Sequence, residues 1–81
     1  MERSALARAR VVEVVVTGTM SDRMRRSFPD LRAVTVPEGT RLTGTVADEA
    51  ALHGVLARCR DLHLQLVSVR SRDAETADGV V

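Results

Sequence analysis

The sequence predicts one small α+β domain: a four-stranded antiparallel sheet with two helices on one face. Three features predict it. Short runs rich in β-branched residues recur four times, a composition that suits a pleated, half-buried surface. Between the first and second runs, and again between the third and fourth, large apolar residues recur at helical spacing behind a helix-capping residue. The two middle runs flank a Pro/Gly turn, as hairpin strands do. The order is therefore strand, helix, strand, strand, helix, strand, a split βαβ arrangement.

Arg10 to Thr17 (RVVEVVVT) is the clearest strand, and Gly18 and Thr19 punctuate it. Ser21 is placed to cap a helix, with Asp22 suited to the positive end of its dipole. Met20, Met24 and Phe28 recur every four residues, and Pro29 disfavours helical geometry at Phe28, so this helix is short. Leu31 to Val36 is the second strand. Pro37, Glu38, Gly39 and Thr40 form a turn, Pro fixing φ and Gly free to take φ > 0. Arg41 to Val46 alternates, with Leu42, Gly44 and Val46 on one face and Arg41, Thr43 and Thr45 on the other. Asp48 caps the second helix, whose apolar stripe is Leu52, Val55, Leu56, Cys59 and Leu62. Gly54 costs about 1 kcal/mol there relative to Ala and suggests close approach of another backbone. Leu64 to Arg70 is the last strand.

These elements in this order resemble the ferredoxin-like fold, and the resemblance implies the strand order 4-1-3-2. The run Ala51 to Arg58, continued through Leu66 to Val69, looks like the second half of small, uncharacterised bacterial ferredoxin-like proteins. The domain is expected at residues 10–71, between an N-terminal arm at 1–9 and a C-terminal tail at 72–81 in which Val80 and Val81 are an apolar anchor.

Composition narrows the function classes. A chain of 81 residues buries only about 60–65% of the surface its unfolded form exposes. Domains this small gain stability from disulfides, a metal, a partner or very good packing. One cysteine, Cys59, excludes an internal disulfide, and Cys59, His53 and His63 fall one short of a four-ligand zinc site. Partner burial is the remaining common solution. The formal net charge is +1, which provides no global field for nucleic acid or anionic lipid. The arm contributes Arg3 and Arg8, but the one aromatic residue, Phe28, sits on a helix stripe, whereas RNA-binding sheets of this outline stack bases on strand aromatics. No nucleic-acid or membrane partner is expected. No apolar run approaches the roughly 20 residues of a bilayer span, and the first residues lack the apolar stretch of a secretory signal, so the expected location is the cytoplasm.

Helices on one face leave the other face bare. Val12, Val14 and Val16 are assigned to the helices. Val11, Val15 and Ala33, beside Thr35, Thr43 and Thr45, are assigned to the open face, which is more apolar than a water-exposed face needs to be. The leading expectation is a non-enzymatic homodimeric interaction or assembly module, with Val11, Val15, Thr43, Thr45, Leu64 and Leu66 at its interface. A protein partner is the related expectation, and an accessory subunit of an enzyme is the third reading.

The alternative is a small-molecule sensor. The exit of the first strand leads into a helix N-terminus, where backbone N–H groups hold anions, and Gly18, Thr19, Ser21 and Arg25 are the candidate ligand residues. With the βαββαβ outline, this loop resembles the ligand loop of ACT and related regulatory domains, although the Asp and Pro common in that loop are missing. The resemblance implies a small anionic ligand, bound there or at a dimer seam. No catalytic residues, metal site or cofactor are assigned. No Ser sits in a nucleophile elbow, and Asp48, Glu49 and Asp61 read as cap and helix surface. Acylphosphatases and heavy-metal chaperones share the outline, but they use an Asn and a CxxC pair that this chain lacks.

Overall fold

The computed structural model describes residues 9–74. It contains β1 (Arg10–Val16), α1 (Asp22–Arg25), β2 (Arg32–Val36), β3 (Gly39–Val46), α2 (Glu49–Asp61) and β4 (Leu66–Asp73). The strands form one antiparallel sheet in the order β2-β3-β1-β4, so β1 and β3 are central and β2 and β4 are edges. Arg72 and Asp73, expected in the tail, complete β4 opposite Val11 and Arg10. The rest of the expected arm, and the tail from residue 75 with Val80 and Val81, lie outside the described residues.

Period-two alternation in β1 sends Val12, Val14 and Val16 to the covered face, where all three are buried. Val14 and Val16 join Leu42, Met20, Phe28 and Cys59 in the main cluster, and Met24, Val55, Leu56 and Leu62 pack against it. Val12 joins Val46 and Leu52 in a second cluster. Residues of both helical segments thus meet the same sheet face, and α2 lies over β1 and β3.

Both helix starts follow the capping logic. Ser21 Oγ accepts from the Met24 N–H at 3.1 Å, and Asp48 Oδ1 accepts from the Ala51 N–H at 2.8 Å. α1 is a single turn, because Ser27 and Phe28 leave the helical ladder and bond back to the Met24 and Arg25 carbonyls. Arg58 Nη1 holds the segment after α1 by donating to the Ser27 carbonyl at 2.7 Å. The end of α2 is a Schellman motif: the Leu64 N–H donates to the Cys59 carbonyl and the His63 N–H to the Arg60 carbonyl. His63 occupies the left-handed position at φ 61°, where Gly is the usual residue.

Glycines decide two close approaches. A Cβ on Gly39, at φ +148°, would stand 2.1 Å from the Val16 carbonyl oxygen and 2.8 Å from the Gly18 nitrogen. One on Gly44 would meet the Asp30 carbonyl oxygen at 2.7 Å, so Gly44 is where the chain entering β2 crosses β3. Gly54 does not play the role expected of it, since a Cβ there meets nothing within 4 Å.

The register corrects the composition expected for the open face. The two-residue turn Pro37–Glu38 pairs Val36 with Gly39, which puts Ala33 opposite buried Leu42 and Thr35 opposite buried Thr40. Both therefore sit on the covered side, and Arg32, Val34 and Val36 take the open side, since a one-residue slip exchanges the faces of a strand.

Gly39→Ala is expected to destabilise the domain by about 2 kcal/mol or more, a fall of about 10 °C in Tm, because the hairpin and the end of β1 must separate. His63→Gly is expected to stabilise it by about 0.5–1 kcal/mol and raise Tm by a few degrees, since it relieves a left-handed residue that makes no side-chain hydrogen bond in the structure. Thermal melts followed by circular dichroism check both. An unchanged Tm for Gly39→Ala would contradict the packing at this junction.

Candidate interaction surface

Two surfaces have a chemistry that the core does not use. The first is the β4 edge. Leu66, Val67 and Val69 are 45%, 48% and 40% exposed, and the one other large exposed aliphatic among the described residues, Val34, is 37% exposed on β2. The cause is geometric. α1 is one turn long and α2 packs mainly over β1 and β3, so the inner flank of β4 receives little cover from the helices. Val69 is paired with Val14 and Leu66 with Val16, which places both on the helix side of the sheet. Between them the pairing shifts at Val15/Val16, a β-bulge. Val67 lines the opposite side with Val15 and Ser68. Beside this flank runs a groove of about 700 Å³ with Leu56, Ala57, Leu64 and Leu66 as its apolar lining and His53, Arg60, His63 and Gln65 as its polar groups.

The second surface is the open sheet face. Its central row is Val11, Glu13 and Val15 of β1, flanked by Thr45, Thr43 and Arg41 of β3 and by Arg72, Arg70 and Ser68 of β4. Arg32 and Val34 of β2 extend it. Arg41 Nε lies 3.7 Å from Glu13 Oε2, a partly exposed pair worth under about 1 kcal/mol. Arg32, Arg70 and Arg72 have no ion pair among the described residues.

The structure divides the expected interface residues between these surfaces. Val11, Val15, Thr43 and Thr45 share the open face. Leu66 is on the helix side, and Leu64 packs against the main core cluster, so neither joins them. Sequence reasoning missed Arg32, Arg70 and Arg72. The signal was present in the alternation of β4, where Ser68, Arg70 and Arg72 fall in one row.

At the Gly18 loop two of the four candidate residues are already engaged. Gly18 takes φ 85°, and its carbonyl accepts from buried Thr40 Oγ1 at 2.9 Å. Ser21 spends its hydroxyl on the α1 cap. Thr19 and Arg25 are exposed nearby. Gly18 and Ser21 therefore belong to a fastened turn, Thr19 and Arg25 stay exposed beside it, and α1 is only four residues long.

Cys59 and His63 do not converge. Cys59 is 0% exposed in the core, whereas His63 is an exposed residue past the helix end. His53 lies on the outer side of α2, 3.8 Å from Glu49 Oε2. Among the described residues no group of three His, Cys, Asp or Glu side chains is arranged to hold a metal ion. No helix among them is long and apolar enough to cross a membrane.

Residues 11–70 match a family described as "Domain of unknown function (DUF8691)". No curated protein and no solved structure matches the chain.

Burial pushes the Cys59 thiol above its ordinary value, because the thiolate would lie among apolar side chains. The folded state therefore holds the proton more tightly than the unfolded one. Its contribution to stability is fully present below the unfolded value and is lost as pH rises from about 8.5 through the folded value. At pH 8 a thiol reagent is expected to label Cys59 at least about 100-fold more slowly in native buffer than in denaturant. Equal rates would mean that the thiol is not enclosed.

Proposed function

This chain belongs to the DUF8691 family, and we propose that it is a non-enzymatic homodimeric interaction module of ferredoxin-like topology, acting in the cytoplasm. The observation that carries this reading is the concentration of exposed aliphatic side chains in one four-residue stretch of an edge strand, Leu66 to Val69. An edge strand presents unpaired backbone N–H and C=O groups, and proteins that stay monomeric guard such edges with charge or proline. The Leu66–Val69 half of β4 has neither. A second copy related by a two-fold axis satisfies both needs, because each β4 meets its equivalent and each apolar groove receives aliphatic side chains from the other copy.

The open face suits self-association less well. Packing two such faces together would oppose Arg32, Arg41, Arg70 and Arg72 with their own copies, and Glu13 is the one strand carboxylate on that face to offset them. The proposed interface therefore takes Leu66, and Leu64 in the groove floor, from the expected set and leaves Val11, Val15, Thr43 and Thr45 outside.

A second reading, small-molecule sensing of the ACT-like kind, finds its support in the groove. An apolar floor with two histidines and Arg60 around it suits a small anion with an aliphatic tail. On this reading the ligand sits at the dimer seam, away from Gly18.

Sedimentation equilibrium of the purified protein over a concentration series tests the dimer. The expected result is a dimer at tens of micromolar. The double variant Leu66→Asp/Val69→Lys should weaken it at least about tenfold, and Val15→Asp should leave it within about twofold. A wild-type monomer at about 100 µM, or a dimer lost in Val15→Asp and kept in the β4 variant, would refute the edge assignment.

A further inference from the structure

We propose that the open sheet face docks an acidic, aliphatic peptide segment of a partner protein. This goes beyond the dimer and does not depend on it, since β4 pairs through its outer edge and leaves this face free.

Three features of the face define the partner. The first is charge. Arg41, Arg70 and Arg72 line its concavities and Arg32 adjoins them opposite Thr43, four guanidinium groups against two carboxylates, Glu13 on β1 and Glu38 in the β2–β3 turn. Of these arginines only Arg41 has an ionic partner among the described residues. The second feature is spacing. Arg70 and Arg72 are two apart on one strand, so they stand about 7 Å apart, the same repeat at which an extended peptide presents every second side chain. Arg41 lies two strands away, about 10 Å across the sheet, and marks the width of a single peptide chain. The third feature is the material between the charges. Val11, Val15, Val34, Val36 and Val67 occupy the same side, so a bound chain meets aliphatic surface between guanidinium groups.

The same features separate a peptide from a nucleic acid. A single strand of RNA or DNA bound on a sheet stacks its bases on aromatic side chains. This face has none, and Phe28 is buried in the core on the other side of the sheet. Guanidinium groups bind carboxylates in a planar, two-pronged geometry, and the valines favour aliphatic side chains over bases.

Fluorescence anisotropy on the 81-residue chain tests the proposal, with a labelled peptide that alternates Glu with Val and Leu, a length-matched Lys peptide, and oligothymidylate. The expected result is saturable binding of the acidic peptide that weakens with added salt. Arg70→Glu/Arg72→Glu should weaken it at least about tenfold, and Glu13→Gln should tighten it about threefold by removing an opposing carboxylate. Arg23→Glu, on exposed α1 away from this face, should leave it unchanged, which separates docking at this face from general attraction to a basic protein. Circular dichroism checks folding, and Arg41→Gln and Arg72→Gln serve as milder variants, each expected to weaken binding about threefold. Binding that is absent, that is equal in the double variant, or that Arg23→Glu weakens as strongly would overturn the proposal. Tighter binding of oligothymidylate through the same arginines would overturn it in favour of a nucleic-acid partner.

Discussion

The structure depends on the burial of one valine row, Val12, Val14 and Val16, on a strand hydrogen-bonded along both sides. β1 comes first in the chain, yet its partners are the third and fourth strands. Its pairing therefore closes the whole domain, and the cost of ordering the intervening chain is recovered only when the valines leave water. Main-chain contact at the end of β1 secures this closure. Gly39 lets the hairpin approach the Val16 carbonyl, and the Thr40 hydroxyl donates to the Gly18 carbonyl, so the turn after β1 is held against the β2–β3 hairpin at that end.

The covering of that valine row is uneven, and its unevenness generates the surface. α1 contributes one turn, with Met20, Met24 and Phe28 filling the core from a segment that is mostly not helical. α2 is the one long helix, and it sits over the two central strands, where the buried valines and Leu42 are. β4 pairs with β1 but receives little cover from the helix layer. Leu66 and Val69 are apolar because they face the helix side, and they are exposed because that layer stops short of them.

The two free surfaces differ in chemistry, and this suits them to different tasks. The β4 edge is aliphatic, with unpaired backbone groups, a combination that a second copy of the same strand complements. The open face interleaves valine with arginine, and a second copy would repel it. On the proposed reading, charge separates self-association at the β4 edge from partner binding on the open face, an arrangement that a near-neutral total charge does not reveal.

The sequence by itself determined the order of elements, both capping residues, the buried face of β1 and the apolar stripe of α2. All of these rest on local periodicity and on hydrogen bonds spanning three or four residues. It also carried the arginine row of β4, because alternation within a strand is local. Only the tertiary structure decided which side Ala33, Thr35, Leu64 and Leu66 take, how far the helix layer reaches, and that Gly39 rather than Gly54 is the site of close backbone approach. Those depend on the register of a two-residue turn, on a bulge opposite Val15 and Val16, and on contact between segments distant in the chain. A one-residue shift in register reverses the facing of every side chain that follows, and no local pattern in the sequence specifies that shift.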